Sequence, residues 1–288
     1  MTIYPGTLLK QSVAARRGLL VPGAANALAA RVIEACGFEA VYLSGAGLTN
    51  TFYGIPDLGF ISLQDIAQHT AAIRDAVALP LIVDIDTGFG NALNVRHTVR
   101  TVERAGANAI QLEDQVSPKK CGHFSGKAVI SKSDMLGKIK AALDARQHGD
   151  FIIIARTDAR AVHGLDDALD RAAAFAECGA DITFIEAPES EDEMRRVAAQ
   201  THSPQLANIV IGGKTPSLPA EQLAAMGFGM VLYANAALQG AVHGMTHALQ
   251  HLRTHGELTE DPSLVATFME RQILVQKPFF DSLDKLYT

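Results

Sequence analysis

A single cysteine stands in a cationic and glycine-rich segment, SPKKCGHFSGK, at residues 117 to 127. Lys119, Lys120 and His123 flank Cys121 in this segment. Neighbouring positive charge lowers the pKa of a thiol, so that thiol and thiolate are both available near neutral pH for proton transfer. The small residues around it would let the segment close over a bound ligand. The sequence therefore predicts a catalytic acid or base at Cys121, with Lys119 and His123 in the catalytic group.

Polar and charged residues also follow a series of short apolar runs along the chain. They are Ser44, Asp84, Asp86, Glu113, Asp114, Arg156, Asp158, Glu186 and Asn208. Carboxylates gathered in one place are costly to desolvate unless a cation compensates them, and oxygen ligands suit Mg²⁺ or Mn²⁺. Asp84 and Asp86 would share one face of a strand, and Glu113 would complete the metal site, partly through water. The alternative is that these acids cap the following helices or pair with Arg and Lys.

Two further features predict an anionic ligand. The guanidinium of Arg156 is a planar fork that suits bidentate binding of a carboxylate next to the metal site. The run SGAG at residues 44 to 47 has small residues whose backbone amides can donate hydrogen bonds to the oxygens of a ligand. By contrast, Cys36 and Cys178 lie in alanine-rich stretches and are predicted to be buried packing residues.

The elements that would position these residues alternate between short β-branched runs and alanine-rich amphipathic stretches. Eight predicted strands cover residues 19 to 23, 40 to 45, 81 to 86, 109 to 114, 151 to 157, 181 to 187, 205 to 210 and 230 to 235. Since all are nearly continuous in apolar character and each precedes a helical pattern, they favour a closed (β/α)8 barrel of the α/β class. An open doubly wound sheet is the alternative. Active sites of such barrels lie at the carboxyl ends of the strands, where the polar residues above are found.

The whole chain, residues 1 to 288, is predicted to form one barrel domain, because such barrels commonly reach about 250 residues as a single domain. Residues 6 to 17 are expected to form a helix that covers the amino-terminal end of the barrel. Residues 256 to 288 would form a helical extension rich in apolar and aromatic side chains, which packs on the barrel or on a partner subunit.

Composition argues against several kinds of protein. A net charge of −6, no tryptophan and no basic stripe argue against nucleic-acid binding, and no apolar run is long enough to span a bilayer. The amino terminus lacks the apolar region of a signal peptide, and an odd number of cysteines without a CxxC pair fits a reducing compartment, so a cytoplasmic location is expected. Neither a GxGxxG turn after the first strand nor a GxxxxGK[ST] loop is present, so neither kind of nucleotide site is expected.

Several motifs together resemble one enzyme superfamily. In chain order they are VYLSGAG, PDLG, DIDTGFGN, QLEDQ, PKKCGH, IIARTDA and ANIV, and the resemblance covers residues 5 to 255. They resemble the isocitrate lyase and phosphoenolpyruvate mutase superfamily, and within it the methylisocitrate lyase and 2,3-dimethylmalate lyase group, whose carbon–carbon lyases carry the KKCGH motif. The resemblance implies an α/β barrel whose last helix is exchanged between subunits, in a homotetramer built as a dimer of dimers.

The resemblance also implies roles for individual residues. Mg²⁺ would lie near Asp84, with Asp86 and Glu113 acting through water and Asp57 in the surrounding polar shell. Cys121 matches the catalytic acid or base. The residues that match those holding the 2-oxo acid half of the substrate are Tyr42, Ser44, Gly45, Ala46 and Arg156. The residues that match positions near the departing carboxylate are Gly122, His123, Glu186 and Asn208.

One region departs from part of the superfamily. Methylisocitrate lyases usually follow the Asn of strand seven with Thr-Glu-Phe-Gly, whereas residues 208 to 216 here read NIVIGGKTP, closer to the NMVEGGKTP of the dimethylmalate lyase and petal-death-protein type. Ile211 stands where that type has an acidic residue. Pro216 stands where oxaloacetate hydrolases have what looks like a Ser.

The activity that the resemblance implies is the Mg²⁺-dependent cleavage of a 2-hydroxydicarboxylate, similar to 2,3-dimethylmalate, into pyruvate and a short acid such as propionate. One alternative is a 2-methylisocitrate lyase, which gives pyruvate and succinate. Others are an oxaloacetate hydrolase, a phosphonopyruvate mutase or hydrolase, and a barrel that binds partners without catalysis.

Overall fold

Eight strands form one closed parallel barrel in the computed structural model, which describes residues 3–122, 126–200 and 202–288. The strands are β1 (Leu19–Ala24), β2 (Val41–Leu43), β3 (Leu81–Asp84), β4 (Ala109–Glu113), β5 (Ile152–Thr157), β6 (Ile182–Ile185), β7 (Gln205–Asn208) and β8 (Phe228–Tyr233). Each strand pairs in parallel with the next one along the chain, and β1 closes the barrel against β8. The (β/α)8 prediction is therefore confirmed, and the open-sheet alternative is wrong.

Thirteen helices are found within the described residues. They are α1 (Pro5–Ala14), α2 (Ala27–Ala35), α3 (Gly45–Phe52), α4 (Leu63–Ala76), α5 (Ala92–Arg104), α6 (Lys132–Ala145), α7 (Arg160–His163), α8 (Leu165–Cys178), α9 (Glu191–Gln200), α10 (Ala220–Met226), α11 (Ala236–His255), α12 (Phe268–Leu274) and α13 (Lys277–Tyr287). Each pair of successive strands is joined through at least one helix, as parallel pairing requires. Short α3 and α7 precede the main crossover helix in their connections.

The barrel interior is filled by apolar side chains that point inward from the strands. Val21, Ile82 and Ile154 belong to this layer, and Leu9 and Val13 of α1 pack against it from below. Helix α1 therefore closes the amino-terminal end of the barrel, as predicted for residues 6 to 17. With its floor closed in this way, the barrel leaves its carboxyl-terminal end for a site.

A second apolar layer lies between the barrel and its helices. Outward side chains such as Val83 and Ile153 pack there with Val99 of α5 and Ile139 of α6. Because the strands are buried on both faces, they read as continuous apolar runs in the sequence. Two of the crossover helices, α8 and α10, end at a glycine in the left-handed region, with φ of 111° at Gly179 and 106° at Gly227.

The last three helices contrast with the barrel, since α11, α12 and α13 contain no buried residue. Phe268, Phe279, Phe280 and Leu286 are among their exposed apolar side chains. The single-domain organisation, the extension from residue 256 and the exchange of a helix between subunits stay predictions. None of the helices within the described residues combines the length and apolar character needed to cross a membrane.

Candidate active site

A small cavity of about 50 Å³ lies at the carboxyl ends of the strands. The predicted site residues that line it are Tyr42, Ser44, Ala46, Asp57, Asp84, Lys119, Cys121, Gly122, Arg156, Glu186 and Asn208. Gly45, Asp86 and Glu113 lie beside it, in contact with Asp84, Lys119 and Arg156 respectively. His123 lies outside the described residues. Residues from separate strand ends therefore meet in one place.

Lys119 enters the acidic group from the cysteine-bearing segment. Its Nζ lies 2.7 Å from Oδ2 of Asp57 and 2.9 Å from Oδ1 of Asp86, and its side chain is 6% exposed. Burial alone would lower the pKa of this ammonium, but the surrounding carboxylates, with Asp86 and Glu113 foremost, raise its pKa well above the usual value. Lys119 is therefore a permanent positive charge among the strand-end acids.

Asp84 and Asp86 lie close together, but they do not share one face of a strand as predicted. Strand β3 ends at Asp84, and Asp86 follows in the left-handed region with φ of 49°. The backbone N–H of Asp86 donates to Oδ1 of Asp84 at 3.1 Å. A Cβ atom placed on Gly45 would lie 3.3 Å from Oδ2 of Asp84 and 3.2 Å from Oδ1 of Asp86. Both carboxylates therefore converge on Gly45, where even one methyl group would crowd them.

Glu113 completes the acidic group from the end of β4. Its Oε2 accepts a hydrogen bond from Nε2 of Gln111 at 3.3 Å and lies 3.4 Å from Nε of Arg156. Its Oε1 is buried and has no hydrogen-bond partner within the described part of the chain. Burial raises the pKa of Glu113 well above its usual value despite Arg156, and burial raises the pKa of Asp86 to about 7 despite Lys119. The nearby cations therefore do not fully offset the desolvation of these acids.

The chemistry of these donors fits a hard divalent cation. Asp84, Asp86 and Glu113 offer only oxygen atoms, and Oε1 of Glu113 is buried without a partner among described residues. Across residues 3–122, 126–200 and 202–288, no three His, Cys, Asp or Glu side chains are already spaced as metal ligands. Mg²⁺ usually keeps several waters and takes only one or two carboxylates from the protein. The residues therefore fit a water-rich Mg²⁺ site rather than an all-protein cage.

Arg156 at the end of β5 is held in a fixed orientation. Its Nε and Nη2 donate to Oδ2 and Oδ1 of Asp158 at 2.9 and 3.1 Å, and its Nη1 lies 3.4 Å from Oε2 of Glu186. The guanidinium also lies 5.2 Å from the centre of the Phe184 ring. One edge of the predicted carboxylate-binding fork is thus used by a carboxylate of the protein itself. Nη1 is the part of the group directed toward the cavity residue Glu186.

Two groups of the site come from the end of β2: the residues that begin α3 and the phenol of Tyr42. Oγ of Ser44 accepts a hydrogen bond from the backbone N–H of Gly47 at 3.1 Å, so the SGAG run begins α3. The hydroxyl of Tyr42 donates to Oε1 of Gln111 at 2.6 Å. Burial, together with the charge of Asp84, raises the pKa of Tyr42 well above its usual value, so this residue stays a neutral hydrogen-bond donor.

Residues 119 to 122 of the cysteine-bearing segment line the cavity at the mouth of the barrel. The side chain of Gln115 accepts from the backbone N–H of Lys120 at 3.0 Å and donates to the carbonyl of Lys120 at 2.8 Å. Cys121 follows directly, half-buried, and lines the cavity. The predicted meeting of this segment with the strand-end acids is therefore seen in the structure.

Gly122 and Lys127 fasten the same segment to Arg156 and its neighbours. A Cβ atom on Gly122 would lie 2.6 Å from Nη2 of Arg156 and 2.7 Å from Cδ of Glu186, so any larger residue here would displace these two side chains. The ammonium of Lys127 donates to Oδ1 of Asp158 at 2.7 Å and also to the carbonyl of Gly122. One buried carboxylate therefore holds both the segment and Arg156.

Some strand-end residues of the predicted polar ring lie outside the site. Asp114 accepts hydrogen bonds from Oγ1 of Thr157 at 2.7 Å, from Nη1 of Arg171 at 3.1 Å and from the backbone N–H of Asp158 at 3.0 Å. These contacts fix the loop after β5 on α8, so Asp114 has a structural position. The alternative that such acids pair with arginine is correct for this residue.

The two other cysteines are less buried than predicted. Cys36 follows the last residue of α2 and is exposed, so its predicted role as a buried packing residue is wrong. Cys178 ends α8, is half-buried, and has its Sγ 3.8 Å from the carbonyl oxygen of Leu136.

Among the residues at the site that were not predicted, three are polar or charged: Gln111, Lys127 and Asn235. Gln111 could have been found, because it lies two residues before Glu113 on a strand and so shares its face. Asn235 could also have been found, because it is the polar residue at the end of the eighth predicted strand, residues 230 to 235. Lys127 carries no comparable signal, since its position depends on the loop after β4.

Larger cavities, of about 890 and 680 Å³, open near the other end of the barrel. They lie beside α1 and the loops that precede the strands, and Arg74, Asn108 and Glu39 are among their lining residues. The strand-end carboxylates and Cys121 are absent from both linings. Size alone therefore does not identify the site in this barrel.

Curated proteins that are similar to this chain include two lyases. A 2,3-dimethylmalate lyase of Eubacterium barkeri is 43% identical over 262 residues, which cover 91% of each chain. A 2-methylisocitrate lyase of Aeropyrum pernix is also 43% identical, over 99% of this chain and 84% of that protein.

Solved structures agree with this similarity. A crystal structure of a 2,3-dimethylmalate lyase has a TM-score of 0.92 and 32% identity, covering 100% of this chain and 96% of that chain. A phosphonopyruvate hydrolase in complex with oxalate and Mg²⁺ has a TM-score of 0.88 and 30% identity, covering 99% of each chain. The profile of the phosphoenolpyruvate phosphomutase family matches residues 9–253. This chain therefore belongs to the phosphoenolpyruvate phosphomutase family, within the PEP mutase/isocitrate lyase superfamily that its sequence motifs resemble.

Proposed function

We propose that the chain is a Mg²⁺-dependent carbon–carbon lyase that cleaves a 2-hydroxydicarboxylate resembling 2,3-dimethylmalate into pyruvate and a short acid such as propionate. The main support is that Asp84, Arg156 and Cys121 line one small cavity, with Asp86 and Glu113 beside it. A binding or scaffold barrel would have no use for this combination of acids, arginine and thiol. Similarity to proteins named as lyases supports the same reaction class.

Asp84, Asp86 and Glu113 are the residues that would hold Mg²⁺, partly through water, with Mn²⁺ as the alternative ion. Support comes from their oxygen-only donor set and from the similar phosphonopyruvate hydrolase that was solved with Mg²⁺. When bound, such a cation acidifies the substrate hydroxyl and favours the carbonyl that forms from it.

Different residues contact the two halves of the substrate. Arg156, Tyr42 and the start of α3 hold the half that becomes pyruvate, whereas Glu186 and Asn208 lie at the other half. The C2 hydroxyl loses its proton to the acidic cluster as the C2–C3 bond breaks, and the electron pair of that bond passes to C3. Cys121 then delivers a proton to C3, so that pyruvate and the second acid form without a further reactant.

Entry of the substrate requires a movement of the cysteine-bearing segment. A cavity of about 50 Å³ is far smaller than the several hundred Å³ of a typical ligand pocket. Movement of residues 117 to 122 away from the mouth would withdraw Lys119 from Asp57 and Asp86 at the same time. Their return over the bound substrate would exclude water from the developing negative charge on C3.

A second candidate is cleavage of 2-methylisocitrate, since a lyase of that name is equally similar over nearly the whole chain. That substrate carries a third carboxylate. In the run NIVIGGKTP the only cation is Lys214, whose Nζ lies 3.7 Å from Oε1 of Glu189, and Ile211 is 52% exposed and uncharged. These features favour the substrate with two carboxylates.

The test is to supply 2,3-dimethylmalate, 2-methylisocitrate, isocitrate and oxaloacetate separately, with Mg²⁺ and with a chelator. Release of pyruvate or glyoxylate is followed by a coupled dehydrogenase, and phosphonopyruvate turnover by phosphorus NMR. We expect Mg²⁺-dependent release of pyruvate that is fastest with 2,3-dimethylmalate. Absence of cleavage of every hydroxydicarboxylate would exclude the lyase, and turnover of phosphonopyruvate alone would make the protein a mutase or hydrolase.

We also propose that the protein is a homotetramer in which the exposed helices α11 to α13 pack against other copies. Support comes from their apolar side chains, which include Phe279 and Phe280 at more than half exposure, 54% and 55%. Light scattering of the purified protein measures the assembly directly. The cytoplasmic location expected from the sequence stays a prediction.

A further inference from the structure

Just after β8, an amide lines the cavity whose oxygen makes no hydrogen bond within the described residues. Asn235 lines the cavity, and its Oδ1 is buried without a partner among the residues that the structure describes. Asn235 is also the residue that precedes α11, a position where an asparagine oxygen normally accepts a backbone N–H of the first turn. Here the side chain makes no such capping bond. The amide is therefore turned from its usual local role toward the cavity.

A second amide oxygen at the same cavity is also buried without a hydrogen-bond donor among the described residues. Asn208 at the end of β7 donates through Nδ2 to both carboxylate oxygens of Glu186, at 3.3 Å each. A carboxylate accepts and does not donate, so these bonds fix which way the amide of Asn208 points. Its Oδ1 is buried and, within the described part of the chain, has no donor. Asn208 therefore presents an unpaired hydrogen-bond acceptor to the cavity, and Asn235 adds a second amide whose buried oxygen has no donor among the described residues.

The wall that carries these acceptors is otherwise apolar. It is lined by Val210, which follows β7, by Leu232 of β8 and by Ala234, which follows β8. A plain alkyl group placed here would leave both amide oxygens buried and unpaired, which is costly. A group that donates a hydrogen bond would satisfy at least one of them. The wall therefore selects for a donor rather than for a methyl group.

The charges around the cavity favour a neutral donor over a further carboxylate. The cations that line it among the described residues are Lys119, Lys120 and Arg156. Each already has a partner, since they donate to Asp57, to the carbonyl of Gly126 and to Asp158 respectively. A third carboxylate on this wall, beyond the two of the proposed substrate, would face Oδ1 of Asn208, which accepts and cannot donate to it. A hydroxyl meets the requirement without adding charge.

We infer that the preferred substrate carries a hydroxyl at C3, either directly on this carbon or on the first carbon of its substituent. The second product is then a short hydroxy acid rather than an alkyl acid. This inference rests on the proposed lyase function and on the placement of the departing half beside Asn208. With a hydroxyl in place of the C3 methyl, the substrate is 2-methyltartrate. Cleavage of its C2–C3 bond, transfer of the hydroxyl proton from C2 and delivery of one proton to C3 give pyruvate and glycolate, with no other reactant.

The test compares isosteric pairs of substrates. The first pair is 2,3-dimethylmalate and 2-methyltartrate, and the second replaces a C3 ethyl group by hydroxymethyl. We expect kcat/KM for the hydroxyl-bearing member of at least one pair to be higher by about ten-fold or more, because the alkyl member leaves buried acceptors unpaired. Equal or better turnover of the alkyl member in both pairs would overturn the inference.

Variants identify the residue responsible. Asn235→Leu and Asn235→Ala remove the amide without removing a capping bond, and either should lower the ratio of the two kcat/KM values, since only the acceptor of Asn208 remains. Gln239→Leu makes the same amide-to-leucine change at an exposed position of α11 and should keep the ratio of the wild type. An unchanged ratio in a folded Asn235 variant would contradict the assignment to Asn235.

A binding measurement separates this inference from the lyase proposal. Titration calorimetry in the presence of Mg²⁺ and pyruvate compares glycolate with the isosteric propionate. If no substrate is cleaved, the lyase proposal fails. The calorimetric comparison still shows whether the cavity prefers a hydroxyl to a methyl group. Tighter binding of glycolate by about ten-fold supports the hydroxyl-binding wall, whereas equal or weaker binding rejects it.

Discussion

The ammonium of Lys119 lies 2.7 Å from Oδ2 of Asp57, although 62 residues separate them in sequence. The same ammonium lies 2.9 Å from Oδ1 of Asp86. Because Cys121 is only two residues further along the chain, this contact joins the position of the thiol to the charge of the acidic cluster. A cation that neutralises the cluster would therefore compete with Lys119 for the same oxygens.

Removal of the Lys119 charge should destabilise the protein when divalent ions are absent. Lys119→Met leaves buried carboxylates without their cation, and loss of one partner of a buried pair costs about 3 kcal/mol or more. Urea unfolding in a chelator measures this. Lys120→Met is the matched control, since among the described residues its ammonium donates to the carbonyl of Gly126, and it should change the free energy of unfolding by less than about 0.5 kcal/mol. Equal losses in the two variants would contradict the buried ion pair.

The raised pKa of Asp86 should make the stability of the metal-free protein depend on pH. The pKa is about 7 in the folded state, because of burial, against about 3.9 in the unfolded chain. Between these values the folded state holds a proton that the unfolded state has lost, so the free energy of unfolding falls as pH rises from about 4 to about 7. The stabilising contribution is complete below the unfolded pKa and is lost above the folded one.

The measurement for Asp86 compares urea unfolding of the wild type and Asp86→Asn near both ends of this range. The amide cannot titrate, so the variant should show a smaller fall in stability, while other acids contribute equally to both proteins. Identical pH slopes in the two proteins would show that Asp86 keeps an ordinary pKa.

Asp158 should act as a positioning residue for Arg156. Asp158→Asn loses the ionic part of the bidentate contact and the partner of Lys127, so we expect kcat/KM for the dicarboxylate to fall by about 10- to 100-fold, mainly through KM. Glu193→Gln is the matched control, because Glu193 holds Arg160 in the same bidentate way, at 3.0 and 2.8 Å, away from the cavity. A similar loss in both variants would point to a general effect on the fold.

Cys121→Ser should remove turnover and keep ligand binding. A serine hydroxyl is a far weaker acid than a thiol, so kcat is expected to fall by about 10²- to 10⁴-fold, the usual range for a general acid or base. Binding of pyruvate with Mg²⁺, measured by calorimetry, should stay close to that of the wild type. Cys36→Ser, at the exposed end of α2, serves as the control and should retain full activity. Near-normal turnover of Cys121→Ser would take this residue out of the mechanism.

The barrel could be predicted from the sequence because its strands are buried on both faces and its helices on one. Continuous apolar runs and amphipathic stretches therefore alternate without ambiguity, and polar residues such as Asp84 and Asn208 mark where strands end. The exact ends of the strands are less clearly marked in the sequence. The predicted third strand included Asp86, which lies beyond the end of β3 with φ of 49°.

The remaining features of the site depend on contacts between distant parts of the chain. Nothing in the local sequence indicates that Lys119 pairs with Asp57, or that Asp114 pairs with Arg171 of α8. The alanine-rich stretch around Cys36 predicts a buried packing residue, but α2 ends at Ala35 and the cysteine follows at its exposed end. The turn of the Asn235 side chain into the cavity likewise opposes the capping role that its residue type suggests.

The most direct test of C2–C3 cleavage with proton delivery to C3 is an NMR measurement of the reaction of 2,3-dimethylmalate with the Mg²⁺-loaded protein in deuterium oxide. We expect pyruvate and propionate in equal amounts, with one deuterium on C2 of the propionate. Recovery of intact substrate, with or without deuterium on its carbon chain, would contradict the proposed cleavage.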